Sequence, residues 1–154
     1  KALNQMFADT DWGELDYMII DLPPGTGDIQ LTTVQTIALD GAIVVTTPQE
    51  VALIDARKAI SMFAKVNVRI LGLIENMSWF ECEHGTRYHL FGEGGGQREA
   101  ELLDIPLLAQ IPLDPDTRQR CDDGLPVALL DGSQSPIAAA FQRAAEALPV
   151  SAPA

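Results

Sequence analysis

The residues Asp16-Tyr17-Met18-Ile19-Ile20-Asp21 run straight into Leu22-Pro23-Pro24-Gly25-Thr26-Gly27-Asp28. An apolar run of this kind reads as a strand buried on both faces. The acid that ends it, Asp21, then falls where open α/β sheets place their ligands, outside the carboxyl ends of the strands. A carboxylate suits Mg²⁺ at that point, because this hard cation prefers oxygen and retains several waters. The plainer alternative is a buried strand that simply ends in a polar turn.

Three further groups carry chemistry by type. Asn76 follows a third apolar run and sits at its C-terminal edge, where an Asx turn would also place an asparagine. Asp114, within Pro112-Leu113-Asp114-Pro115, can cap the helix that comes next. Cys82 stands in Cys82-Glu83-His84-Gly85, with His89 further on. A single cysteine beside a single histidine is more commonly structural than a metal site. The run Gly92-Glu93-Gly94-Gly95-Gly96 has the composition of a phosphate nest. No lysine or serine follows it in the phosphate-loop arrangement and Glu93 would repel phosphate, so a flexible loop at a helix entry is expected.

These residues need a scaffold, and the hydropathy pattern supplies one. Residues 1–8 read as the last turns of a helix. A strand over 17–21 is followed by a helix from 28, with Asp28 as its cap and Leu31, Val34 and Ala38 on one face. A strand over 42–46 ends at Thr47-Pro48. The next helix, over 51–66, carries the stripe Leu53, Ala56, Ile60 and Phe63. A third strand covers 68–75, and 77–96 reads as irregular. A short helix over 97–103, a strand over 107–111 and a short helix over 117–123 come next. The last helix, over 136–148, places Ile137, Phe141, Ala144, Ala145 and Leu148 on one side, and 149–154 reads as a disordered tail. Strands alternating with helices predict an α/β fold, a doubly wound and mostly parallel sheet.

Composition excludes several classes. Nearly half of the 154 residues are hydrophobic, enough for a real core and unlike a disordered chain. Ten basic against 22 acidic residues give a net charge of -12. That balance disfavours nucleic acid and anionic membranes as partners. Two cysteines are too few for a disulfide scaffold and fit a reducing compartment, so a soluble cytoplasmic protein is expected. No Gly-x-x-x-x-Gly-Lys-Ser/Thr phosphate loop is present. A magnesium aspartate without a phosphate cradle is an incomplete site, so residues 1–148 are expected to be the C-terminal portion of one longer domain.

The string Asp21 to Asp28 resembles the region after the Walker B strand of the Mrp/ApbC-type ATPases, iron–sulfur cluster carriers related to MinD and the nitrogenase iron protein. The likeness continues through Val45-Thr46-Thr47-Pro48-Gln49, Gly72-Leu73-Ile74-Glu75-Asn76-Met77-Ser78, Phe91-Gly92 and Ile111-Pro112-Leu113-Asp114. It implies a P-loop fold and a parent that binds and hydrolyses ATP as a homodimer, delivering clusters to apo iron–sulfur proteins. The resemblance also implies site roles. Asp21 would contact Mg²⁺ through a water, Gly25 would turn its N–H to the γ-phosphate, and Asn76 would read adenine. Pro112 and Asp114 would pack around the base.

One interval departs from the pattern. Many members carry Cys-x-x-Cys there, so that two subunits supply four thiolates to a bridging [4Fe–4S] cluster. Here Cys82 has no second cysteine before Phe91, and the interval looks about one residue short. His84 or His89 could replace a thiolate, whereas Cys121 is not expected to be a ligand. The alternative expectation is a MinD- or ParA-like positioning ATPase without a cluster. A third is a non-catalytic interaction domain.

Overall fold

A single long strand organises the molecule, and the other elements are arranged around it. The computed structural model describes residues 2–23, 27–132 and 135–148. In chain order the elements are α1 (Ala2–Ala8), α2 (Asp28–Thr36), β1 (Ala42–Thr46), α3 (Glu50–Lys65), β2 (Ile70–Glu81), β3 (Arg87–Tyr88), α4 (Gly95–Leu103), β4 (Leu107–Leu113), α5 (Pro115–Asp122), a 3₁₀ turn (Val127–Leu129) and α6 (Pro136–Glu146). Strand β2 pairs in parallel with β1, from Ala42↔Ile70 to Thr46↔Glu75. On its other side it pairs in parallel with β4, from Leu73↔Leu107. Its far end folds back on β3 as an antiparallel hairpin, Phe80↔Tyr88 and Glu81↔Arg87.

Helices cover both faces, as a parallel sheet requires. On one face Val34 of α2 and Met62 and Phe63 of α3 bury against Ala42. On the other, Ile137, Ala140 and Ala144 of α6 bury against Ile74, Ala109 and Ile111. Small alanines let α6 lie close to the sheet, while Phe141, expected on the buried side, is 41% exposed. Ser135 caps α6 by accepting from the N–H groups of Ile137 and Ala138, and Pro136 occupies the first turn where no donor is needed.

Four expectations are corrected. Residues 17–21 are irregular and lie outside the sheet, with Ile19 76% exposed. A strand apolar on both faces needs flanking strands and covering helices, and the described residues do not supply them there. Residues 77–96 are not irregular throughout: β2 continues through Trp79 and Phe80 to Glu81 and pairs with β3, while 82–86 and 89–94 are irregular as expected. The polar pair Glu75-Asn76 resembles a strand end by residue type, yet Glu75 is 1% exposed and fully bonded inside the sheet. Strand β4 likewise runs past 111 through Pro112 to Leu113. Pro112 has no N–H to give a ladder, and it falls where the β2–β4 register shifts, between Asn76↔Ile111 and Phe80↔Leu113.

The fourth correction concerns the glycines. Gly95 and Gly96 are buried and open α4. A Cβ on Gly95 would overlap the Pro48 carbonyl oxygen and stand 2.9 Å from its carbonyl carbon and Cα. One on Gly96 would stand 2.9 Å from both Cβ and Oε2 of Glu75. Gly95 and Gly96 therefore serve close packing of α4 on Pro48 and β2, while Gly92 to Gly94 form the loop at the helix entry. Smaller differences lie at helix ends: Gly27, not Asp28, holds the N-cap position of α2, and Ala38 falls beyond that helix. Residues 149–154, expected to be a tail, lie outside the described residues.

Candidate functional site

A cleft of about 1160 Å³ runs along the free edge of β1, from Asp40 and Ala42 at its start to Thr46 and Thr47 at its end. Its walls include Asp21, Pro23, Gln30, Thr46, Thr47 and Asn76. Only its end beyond Thr46 is the position where an open parallel sheet binds ligands. Asp21 lies exposed on the rim. Asp21, outside the sheet, and Asn76, inside β2, both line this cavity across a separation of 55 positions.

Asn76 is held by its own backbone neighbour. Its Oδ1 accepts from the N–H of Met77 at 3.0 Å, which leaves Nδ2 and one lone pair of Oδ1 for other partners. Met77 has a φ of 55°, a left-handed conformation rare for a side chain of this kind. That conformation costs about 1–2 kcal/mol. The bond from Met77 and a second one, from Ser78 Oγ to the Glu75 carbonyl at 3.0 Å, offset it at about 1 kcal/mol each. Asn76 therefore lies inside β2, at a bulge where the parallel ladder with β1 has just ended, and not after the strand.

Pro112 and Asp114 are not among the cleft residues and lie at the end of β4, the neighbouring strand. Asp114 acts as the N-cap of α5, where its Oδ2 accepts from the N–H and the hydroxyl of Thr117, each at 2.7 Å. Gly25 lies outside the described residues.

Cys82 begins the turn of the β2–β3 hairpin. Its N–H donates to the Thr86 carbonyl and its carbonyl accepts from Gly85. Backbone N–H groups of His84, then Thr86, donate toward the sulfur and hold the thiol below its ordinary range. Arg87 stacks over Trp79 at 4.7 Å and pairs with Glu81 at 2.8 Å, stiffening the stem. His89 does not join the thiol: its Nδ1 lies 3.2 Å from the Ser78 carbonyl, and Nε2 lies 3.7 Å from Glu93. Cys121 is exposed on α5. Among the described residues no group of three or more His, Cys, Asp and Glu side chains could hold a metal ion.

Sequence reading misses four polar residues, Glu75, Glu99, Arg57 and Gln30, of which only Gln30 lines the cleft. Glu75 accepts from the Gly96 N–H at 2.5 Å and from Gln110 at 2.8 Å, tying β2 to the N-terminus of α4 and to β4. Glu99, also buried, takes a bidentate contact from Arg57 at 2.7 and 2.6 Å. Glu99 and then Glu50 raise the Arg57 guanidinium above its already high range. Gln30 donates to the Pro23 carbonyl, while its buried Oε1 has no partner among the described residues. A polar residue at a helix-face position is the available signal for Arg57 and Glu99; nothing local marks Glu75 as buried.

A mostly parallel sheet with helices on both faces is the architecture of the P-loop nucleotidases. Solved structures bear this out. The chain is similar to the nucleotide-binding protein of Archaeoglobus fulgidus, solved in complex with ADP. The TM-score is 0.73 at 42% identity, covering 80% of this chain and 51% of that one. It is also similar to the septum site-determining protein MinD of Pyrococcus horikoshii, solved with Mg-ADP, with a TM-score of 0.67 at 28% identity over 94% of this chain and 54% of that one.

Residues 1–149 match the ParA family described as NUBPL iron-transfer P-loop NTPases, and the chain belongs to that family. It is 50% identical over 149 residues to the iron–sulfur cluster carrier protein of Pyrococcus furiosus, covering 96% of this chain and 50% of that one. To the iron–sulfur cluster transfer protein NUBPL of Mus musculus it is 46% identical over 130 residues, covering 82% and 40%. The chain spans about half the length of the curated relatives it matches. No helix among the described residues is long and apolar enough to cross a membrane.

Proposed function

We propose that this chain supplies the base-side and magnesium-side walls of an ATP site in an iron–sulfur cluster carrier that binds and hydrolyses ATP as a homodimer. The observation that supports the reading is that Asp21 and Asn76 line one cleft, which reaches the C-terminal end of β1. The donor set fits MgATP: an exposed carboxylate for a water on the hard cation, and a side-chain amide with donor and acceptor for a purine edge. In this reading Gly25 turns its N–H to the γ-phosphate, and Pro112 and Asp114 border the base from the end of β4. Bound MgATP would supply a phosphoryl group whose transfer needs positioning and charge stabilisation. The chain's own residues hold and orient it, while the phosphate loop lies in the part of the relatives' length that this chain does not span. Purified residues 1–154 should therefore not turn over ATP. Turnover above background would sink this division of labour.

The cluster is cargo, passed to apo iron–sulfur proteins in a cytoplasmic setting. A [4Fe–4S] cluster calls for four ligands, and each copy of this hairpin offers one thiolate, Cys82. A dimer would then hold a cluster only with further ligands from outside the hairpin. That shortfall favours a second reading, a MinD- or ParA-like positioning ATPase without a cluster. Anaerobic reconstitution of the full-length protein with iron and sulfide separates the two. Carriage predicts a broad absorption near about 400 nm that Cys82→Ala abolishes. A flat spectrum favours the positioning ATPase.

A further inference from the structure

We propose that the groove between α2 and α3 is a docking site for an acidic amphipathic helix of a protein partner. The inference does not rest on the nucleotide reading. None of Asp21, Asn76, Pro112 and Asp114 lines the groove, although Lys58 and Met62 border the cleft as well. Three observations carry it.

First, the groove has an apolar floor of helical length. Its volume is about 610 Å³, and Leu31 of α2 lines it together with Ile54 and Met62 of α3. Ile54 is 43% exposed, and Val51, one turn before it, is 67% exposed. Ile54, Lys58, Ser61 and Lys65 recur at the spacing of one helix face and all line the groove. Rows of this kind form the ridges into which another helix packs. From 54 to 65 α3 rises roughly 16 Å, which matches three turns of a docked helix.

Second, the rim is cationic on an acidic molecule. The net charge is -12, and both lysines after Lys1, Lys58 and Lys65, line this groove. Lys58 pairs with Asp55 at 2.8 Å, but with side chains 61% and 72% exposed that contact is weak and Lys58 stays available. Lys65 makes no ion pair among the described residues and stands in the last turn of α3, where the helix dipole favours a cation. The two lysines are seven positions apart, two turns along one face.

Third, the walls are built before any partner arrives. Met62 is buried in the core beneath the groove with Leu31 packed against it. Arg57, also on the lining, is held by Glu50 and by the buried Glu99, which ties α3 to α4. A preformed surface of this kind lowers the ordering cost of binding. The matching occupant is a helix with an apolar stripe for Leu31, Ile54 and Met62 and two acids seven positions apart for the lysines. A small apolar ligand fits less well, because such ligands need most of their surface enclosed and this groove leaves Ile54 and both lysines open to water.

The probe is a helical peptide of about 18 residues, with leucines at alternating three- and four-residue spacing and glutamates seven apart. Its binding to the full-length protein is followed by NMR of the Ile54 and Met62 methyl groups. Both signals should shift saturably. Lys65→Glu and Ile54→Ala should each weaken binding about fivefold. Both side chains are exposed, so neither variant puts the fold at risk. A peptide with lysines in place of the glutamates should prefer the Lys65→Glu protein to the parent. No shift at about 1 mM peptide overturns the proposal. Equal shifts from the acidic and the basic peptide overturn it too, as does binding that neither variant weakens. Shifts from dodecanoate but not from the peptide would make the groove a small-ligand site and overturn the helix as its occupant. Shifts that grow with protein concentration alone would give the groove to a second copy, with the same consequence.

Discussion

Replacing Gly95 by alanine should be among the most damaging single-methyl changes in this protein. A Cβ there would stand 2.9 Å from both the carbonyl carbon and the Cα of Pro48 and would overlap the carbonyl oxygen. The obstacle is backbone, so no side-chain rotation relieves it. Either α4 lifts from the turn after β1, or Pro48 moves and takes the cleft residues Thr46 and Thr47 with it. Overpacking of this kind costs about 1–3 kcal/mol, against which alanine returns up to about 1 kcal/mol of helix propensity. A net loss of about 1–2 kcal/mol is expected. With a urea slope of about 1–3 kcal/mol/M, the unfolding midpoint should fall by roughly 0.5–1 M at unchanged slope. Gly85→Ala is the comparison: its φ of +75° strains any side chain, but a Cβ there meets nothing within 4 Å. Its loss should be about 1 kcal/mol, from conformation alone. A Gly95→Ala protein as stable as the parent would refute the packing argument and restore the glycine run as a flexible loop.

Other outcomes rest on the same contacts. The alkylation rate of Cys82 against pH should show a midpoint below that of the urea-unfolded chain, because the His84 and Thr86 N–H groups favour the thiolate. Since the folded value is the lower one, the stabilisation is present above the unfolded thiol's pKa and is lost as pH falls through the folded one. Coincident midpoints in the folded and unfolded protein would contradict the hairpin geometry. Arg57→Ala should lower the unfolding midpoint clearly more than Glu50→Ala, since it strands the buried Glu99 while Glu50 is exposed. Equal effects would mean that water solvates Glu99 once Arg57 is gone. Asp114→Ala should cost about 1 kcal/mol through loss of the α5 cap, and a thermal melt that does not move would refute that role.

Much of the fold is legible in the sequence because local pattern and tertiary demand agree over most of the chain. The strand over 42–46 appears as expected, and the α3 stripe is buried at Leu53, Ala56 and Phe63 because a 3.6-residue period leaves no second way to face a sheet. The failures occur where a residue's environment comes from far along the chain. Glu75 resembles the end of a strand because a carboxylate in a sheet is costly unless its partners are known. Those partners, Gly96 and Gln110, lie 21 and 35 positions away. The glycines mislead for the same reason, since only the approach of Pro48 makes a side chain impossible at Gly95.

The site divides along the same line. Asp21 and Asn76 are marked by their positions at the ends of apolar runs, which is local information, and both line one cleft. The string that marks Asp21 is the one whose strand is not formed here. Residues 17–21 need a sheet around them, whereas Glu75-Asn76-Met77-Ser78 carries its own fixings: a side-chain cap on a backbone N–H, a hydroxyl on a carbonyl and an anchored carboxylate. That contrast bears on assembly. In the proposed reading the base-side wall at Asn76 is already built within this chain, so the remaining part of the site should add to a preformed surface there. The Asp21 side must order when its neighbouring strands arrive. Hydrogen exchange resolved by residue would separate the two, with amides of 71–75 protected in this chain alone and those of 17–21 protected only in the full-length protein. Protection of 17–21 in the isolated chain would show that the strand forms without flanking partners, and that the doubly apolar pattern suffices by itself.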